Sequence, residues 1–379
     1  MITQTDKKWM RKAIWLSRDW IGKTHPNPSV GCVMAKDETL FSTGVHRGPG
    51  TPHAEIEAIQ YCSREQLDQA TCYVTLEPCN HHGLTPPCTD AIIASGIKRV
   101  IIALPDLNPE VAGGGSERLR AAGLNVHMGV QAETALEVLE PWLVWKTTGK
   151  PYVTLKMAMS LDGRIATVTG QSKWISNEKS RRMVHDLRKK TMGIMVGAGT
   201  VIHDDPQLTA RKGGRVVYAP VRVIIDRKAK APLNAQIFSS HMPGKTLWMV
   251  GESSFAKSCS PPSDAYSIIP CPELKTGLDL EYVMRYLGRE ASLESVLLEG
   301  GPTLAFSMIE QNLVHKVMIF ISPRLIGGAS APAVLGGKGF KSLKDTPKLS
   351  YVSTRKVAED MLIVGYLGDR PCLQELSEK

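Results

Sequence analysis

The sequence predicts an α/β protein built as two layered domains, and three observations lead there. The first is length: 379 residues exceed what one hydrophobic core usually holds. The second is an alternation of apolar, strand-like runs with amphipathic, helix-like ones, the pattern of sheets covered by helices. The third is a break at Gly149-Lys150-Pro151, after which a new apolar run begins at Tyr152-Val153-Thr154-Leu155-Lys156-Met157. The domains are therefore set at residues 1–148 and 149–379.

Trp9, Ala13, Leu16 and Trp20 recur near helical spacing, so a helix is expected over 6–22, broken by His25-Pro26-Asn27-Pro28. Strands are expected over 30–34 and 40–45, a helix over 54–64, a strand over 72–76 and a helix from Cys88 to Ser95. A strand at 99–104, a Gly-rich turn at 113–115 and helices at 116–122 and 131–145 complete the first half. In the second, strands follow at 152–157, 193–197, 221–226, 246–250, 295–299 and 316–322. Helices follow at 177–190, 279–289 and 303–312. Residues 227–245 and 252–277 are rich in Pro, Ser and Lys and read as irregular. No internal repeat relates the halves.

Bulk properties narrow the function classes. No apolar run approaches the ~18 residues of a membrane span, and Met1–Asp6 lacks the apolar core of a signal peptide. Eight cysteines in this length do not form a disulfide framework. A cytoplasmic protein is expected. The net charge of +9 suits nucleic acid, but equally an enzyme for phosphorylated metabolites. No Lys/Arg block or basic-aromatic stripe is present, so nucleic acid and membrane are set aside as partners.

His53-Ala54-Glu55, followed by Pro78-Cys79 and Cys88, carries the chemistry. One imidazole and two thiolates suit tetrahedral Zn2+, leaving a fourth position open for water. Zinc lowers the pKa of such a water to about 7. Glu55, two residues from a ligand, is the candidate general acid/base, the division of labour found in nucleobase deaminases. Eight residues separate Cys79 from Cys88, where the usual deaminase spacing is two. His81 and His82 are rival ligands within that loop, and a fourth protein ligand would make the site structural. The other cysteines read as small buried or indifferent residues.

With these residues in view, the first half resembles the deaminase half of the RibD family of bifunctional riboflavin biosynthesis enzymes. The resemblance rests on His25-Pro26-Asn27-Pro28-Ser29-Val30-Gly31, Gly44-Val45-His46, His53-Ala54-Glu55, Thr75-Leu76-Glu77-Pro78-Cys79 and the wide Cys79–Cys88 loop. The second half is similar to the family's reductase in Ser160-Leu161-Asp162-Gly163-Arg164, Trp174-Ile175, Asp204–Thr209 and Glu299-Gly300-Gly301-Pro302-Thr303. The resemblance spans nearly the whole chain. It implies a cytidine-deaminase-like three-layer domain followed by a dihydrofolate-reductase-like α/β domain. It also implies Zn2+ and NADPH as cofactors and a phosphorylated ribosylaminopyrimidine as substrate; a homo-oligomer is expected. The competing readings are a tRNA deaminase with an accessory domain and a structural-zinc scaffold.

By the same resemblance, Ala158, Trp174, Thr200, Asp204, Gly301, Pro302 and Thr303 face NADPH. Ser172, Arg188, Leu208, Arg211 and Glu299 face the reductase substrate. The Gly-Gly-Pro turn opens a helix, whose N-terminus attracts phosphate; without the family it is simply a turn. Arg188 and Arg211 suit phosphate, or are surface charges. Trp174 otherwise belongs to a core. Glu299 either accepts from ribose hydroxyls or caps the following helix. In the deaminase half, Asn27 holds ribose or caps its turn, and His46 binds phosphate or is a packed polar residue. Asp106 and Asn108 follow a strand end, as ligand contacts or an ordinary turn. The chain departs from the family at Asn80, where Ser is usual, and at Leu84, where Lys or Arg is common.

Overall fold

The computed structural model describes residues 1–82, 86–106, 108, 114–255, 264–368 and 370. They divide into two compact units, Met1–Thr148 and Gly149–Arg370. Among the described residues, no helix is long and apolar enough to cross a membrane.

The first unit runs α1 (Gln4–Ser17), β1 (Gly31–Lys36), β2 (Thr39–Val45), α2 (Ala54–Gln60), α3 (Arg64–Gln69), β3 (Thr71–Leu76), α4 (Cys88–Ser95), β4 (Arg99–Leu104), α5 (Gly115–Ala121), β5 (Asn125–His127) and α6 (Ala132–Thr148). The sheet order is β2-β1-β3-β4-β5. β1 is antiparallel to both neighbours, whereas β3, β4 and β5 are parallel. Consecutive residues of β1, β3 and β4 are buried, so helices cover both faces.

Capping chemistry moves two helix boundaries. α1 starts two residues earlier than periodicity suggests, because Thr3 and Asp6 form a capping box. It ends at Ser17 and continues as a short 3₁₀ turn, Arg18–Trp20. The helix expected over 54–64 is two helices, since Ser63 and Gln66 form a second capping box that starts α3.

Gly44 explains how α2 reaches the sheet. A Cβ there would lie 2.0 Å from the Ala54 carbonyl oxygen. Gly44→Ala must push α2 away, at a cost of about 1–3 kcal/mol for overpacking. We expect a lower melting temperature together with reduced zinc content, since α2 carries Glu55 and starts directly after His53. Thermal melting and metal analysis of the purified variant check this.

The second unit runs β6 (Tyr152–Ser160), α7 (Glu178–Lys189), β7 (Gly193–Gly197), α8 (Ala198–Asp204), β8 (Ala210–Lys212), β9 (Arg215–Tyr218), β10 (Val221–Asp226), β11 (Thr246–Gly251), α9 (Glu252–Phe255) and β12 (Tyr266–Cys271). It continues with β13 (Glu273–Leu274), β14 (Gly277–Leu278), α10 (Leu280–Arg289), β15 (Ser295–Glu299), α11 (Pro302–Glu310), β16 (Lys316–Ser322), β17 (Leu349–Val357) and β18 (Asp360–Leu367). The main sheet is ordered β12-β11-β10-β7-β15-β6-β16-β18-β17. It is parallel from β12 to β16, and β17–β18 adds an antiparallel hairpin.

Late-arriving β15 inserts between β6 and β7, so the carboxyl ends of β7 and β15 lie side by side. Such places in open α/β sheets are where ligands bind. The Asp162 motif serves this frame. Its carboxylate accepts from Ser160 Oγ and from the amides of Ile326 and Gly327. β12 corrects the irregular reading of 252–277. It is the sheet's outermost strand, where Pro270 costs no ladder bond inside the sheet.

Candidate active sites

The first unit brings His53, Cys79 and Cys88 together, with all three donor atoms within 4.8 Å of one another. His53 is the residue before α2 and Cys88 the first residue of α4. Cys79 leaves the end of β3 after Pro78. His53 Nδ1 is 3.1 Å from Cys88 Sγ and 3.6 Å from Cys79 Sγ. The Cys88 amide donates to Cys79 Sγ at 3.3 Å. That bond, and the helix N-terminus beside Cys88, favour thiolates.

Hydrogen bonds from Cys88 and His53 hold the Cys79 thiol down at about 4. Cys88, donating to Cys79 and buried, is pushed far up. Both sulfurs must be deprotonated to bind a metal, so metal binding would release protons. The donor set fits zinc, being soft, compact and three in number. His81 and His82 are exposed and outside the cluster. A closed four-ligand structural site thus finds no support among the described residues.

Glu55 is buried in the first turn of α2, and burial pushes its carboxyl up to about 7. It lines a cavity of about 420 Å³ with His53 and Cys79. Asn27 and His46 line the same cavity, joined by a 3.0 Å bond between Asn27 Nδ2 and His46 Nε2. The other ring nitrogen of His46 lies 3.2 Å from the Pro52 carbonyl oxygen. Burial lowers its pKa. With both nitrogens engaged and burial opposing its protonation, His46 positions Asn27 and is poorly suited to hold phosphate.

Asp106 and Asn108 line the cavity too, and the Asn108 amide donates to Asp106 Oδ1, so turn and wall are one feature. Asn80 is a loop anchor, accepting from Thr89 and Arg118. Leu84 lies outside the described residues. Sequence reasoning passed over Glu77, whose carboxylate accepts from the amides of Asp106 and Ser116 and fixes the strand ends.

In the second unit, Ser172, Arg188, Leu208, Arg211 and Glu299 line one cavity of about 570 Å³. Gly301, Pro302 and Thr303 line another of about 770 Å³. Ser172, Thr200, Asp204 and Gly300 belong to both, so the cavities share a wall. Ala158 and Trp174 fall on the first cavity, across that wall from the glycine turn. Trp174 is 64% exposed, beneath the Arg181 guanidinium at 4.5 Å, and is no core residue. Gly300 and Gly301 both take positive φ, +72° and +74°, and deliver the chain into α11. A side chain there would strain the turn.

Arg188 grips Glu299 bidentately, Nε to Oε1 at 2.6 Å and Nη2 to Oε2 at 2.8 Å, and also donates to the Thr209 carbonyl. Three of its five donors are spent and its charge is countered by Glu299; Arg211 spends two, on Thr209 Oγ1 and Gln207 Oε1, and is the better anion contact. Glu299 does not cap α11, which has no side-chain cap bond. Burial pushes the Glu299 carboxyl up, but Arg188 and then Lys156 outweigh it and hold it below its ordinary value. Lys156 was missed in sequence; a lysine inside an apolar strand was the available signal.

Glu299→Gln leaves Arg188 without its counter-charge. Losing a bond to a charged group costs roughly 1.5–3 kcal/mol, or about 10–150-fold at 1.4 kcal/mol per decade. We expect a lower melting temperature and reduction weakened by that factor, with zinc content and ammonia release held. The pair's stabilisation is full above pH 4.5, the ordinary glutamate value, and is lost as pH falls through the lower folded value. Melting curves across pH and NADPH-oxidation kinetics check both parts.

Chemistry of this kind belongs to a zinc-dependent deaminase joined in one chain to a dinucleotide-dependent reductase. Residues 3–104 match the cytidine and deoxycytidylate deaminase zinc-binding region, and residues 151–363 match the RibD C-terminal domain. The chain is 39% identical to riboflavin biosynthesis protein RibD of Actinobacillus pleuropneumoniae over 362 residues, 95% of each chain. It is 36% identical to RibD of Escherichia coli strain K12, over 94% of this chain and 98% of that one. Acinetobacter baumannii RibD superposes with a TM-score of 0.79 at 33% identity, covering 97% of this chain and 99% of that one. The Thermotoga maritima diaminohydroxyphosphoribosylaminopyrimidine deaminase/5-amino-6-(5-phosphoribosylamino)uracil reductase gives 0.79 at 34%, covering 96% and 99%.

The chain belongs to the RibD family, the bifunctional deaminase/reductases of riboflavin biosynthesis. It has a cytidine-deaminase-like zinc-binding domain and a dihydrofolate-reductase-like, NADPH-dependent reductase domain. The tRNA-deaminase alternative falls with the match of the second half to a reductase.

Proposed function

We propose that residues 1–148 hydrolytically deaminate 2,5-diamino-6-ribosylamino-4(3H)-pyrimidinone 5′-phosphate. Residues 149–379 then reduce the ribosyl side chain with NADPH, giving 5-amino-6-ribitylamino-uracil 5′-phosphate. The observation that carries this is the His53, Cys79 and Cys88 cluster beside buried Glu55, in a unit separate from the paired cavities. His53, Cys79 and Cys88 would hold zinc, which would supply Lewis acidity to a water. Glu55 takes one proton from that water and passes it to the ring nitrogen as the oxygen adds to the amine-bearing carbon; it then relays the second, from the added hydroxyl, to the amine, which leaves as ammonia as the C–N bond breaks. Asn27, oriented by His46, receives the ribose.

When bound, NADPH would supply the hydride of the second step. Gly301, Pro302 and Thr303 at the N-terminus of α11 would hold its phosphates, with Thr200 and Asp204 on the shared wall and Ala158 and Trp174 beyond it. Ser172, Leu208 and Arg211 hold the substrate. Glu299 keeps lone pairs beyond those given to Arg188 and accepts from ribose hydroxyls.

The thiolate site suits a reducing cytoplasm. Self-association is supported by the outer strand β17, whose Tyr351 and Val352 are exposed. Neither nucleic acid nor membrane is a partner in this reading. The test is modular. A fragment ending at 148 should release ammonia without NADPH, and one starting at 149 should reduce the deaminated substrate without zinc. Two folded fragments that are each inactive would contradict the division.

A further inference from the structure

We propose that Lys146 recognises the substrate's 5′-phosphate in the deaminase cavity; this rests on the deaminase reading above. A phosphate entering that cavity meets a wall rich in acids, for Glu55, Glu77 and Asp106 all line it. It therefore needs a charge-assisted donor nearby. The Cys79–Cys88 loop carries no lysine or arginine. Of the three imidazoles on that lining, His53 is committed to the metal cluster, both ring nitrogens of His46 are engaged, and His81 is exposed on the Cys79–Cys88 loop. Lys146 is the one lysine or arginine among the described residues that line the cavity.

Its place in α6 is fixed by its neighbour one turn earlier. Trp142 is buried, lines the same cavity, and donates from Nε1 to the Pro26 carbonyl at 3.0 Å. That bond ties α6 to the loop presenting Asn27. Residues four apart share a helix face, so Lys146 stands on the wall that holds Asn27. Ribose at Asn27 would thus carry its 5′-phosphate toward Lys146, with the ring amine directed at the zinc ligands. An ammonium on a flexible stem suits a phosphate as a compact point charge.

The experiment compares full-length wild type, Lys146→Ala and Lys146→Arg on the phosphorylated pyrimidinone and on its dephosphorylated form, following ammonia. Loss of a charge-assisted bond should raise KM for the phosphorylated substrate about 10–100-fold in Lys146→Ala. We expect kcat and the dephosphorylated substrate to be nearly unaffected, and Lys146→Arg to recover most of the loss. An equal loss on both substrates would make Lys146 structural and overturn the proposal, as would no loss on either. Ammonia release by wild type from neither substrate would overturn the deaminase reading itself, and the proposal with it.

Discussion

Glu55→Gln should retain one zinc per chain and lose deamination by at least the ~10²–10⁴-fold typical of general acid–base catalysis. The substitution is isosteric, so the first turn of α2 and the preceding His53 stay in place. What disappears is a carboxyl whose burial raises it to about 7, where it both takes and gives a proton near neutrality. A glutamine amide does neither. Reduction of deaminated substrate supplied from outside should be unchanged, because the cavities lined by Glu299 and Gly301 belong to the other unit. Near-normal ammonia release from this variant would remove Glu55 from the chemistry.

The second large effect concerns the ligands. Cys88→Ser should strip or severely weaken zinc, and deamination with it. Cys88 is buried at the start of α4, and its sulfur sits 3.1 Å from His53 Nδ1. A serine hydroxyl is shorter, harder and protonated at neutral pH, so it cannot replace a thiolate. His82→Ala should leave zinc at one per chain, because His82 is exposed and outside the cluster. Zinc retained in Cys88→Ser but lost in His82→Ala would reverse the assignment and restore the structural-site reading.

The zinc cluster was legible in sequence because its chemistry resides in residue types that few other roles require in that order. Even the widened Cys79–Cys88 spacing did not hide it. Strands such as 193–197 and 295–299 were legible because parallel strands buried on both faces read as short apolar runs. The edges were not. β12 is only half buried and contains Pro270, so it looks like loop. β17 is exposed along most of its length and carries no apolar stripe; the β17–β18 hairpin went unread.

Pairings across the fold were equally invisible. Arg188 and Glu299 lie 111 residues apart, and each was read separately, as phosphate and sugar contacts, where the structure joins them. His46 suffered in the same way. Its sequence context shows an imidazole, but only the fold shows the Asn27 and Pro52 contacts that consume its two nitrogens.

One chain running two chemistries in order is open to a single coupled assay. Purified zinc-loaded protein is given the diaminopyrimidinone ribosylamine phosphate, with and without NADPH, and ammonia and NADPH oxidation are followed together. Ammonia should appear at the same rate in both reactions. NADPH oxidation should begin only as deaminated product accumulates, and should end at one equivalent per ammonia. NADPH oxidised without ammonia release, or ammonia release that requires NADPH, would contradict it.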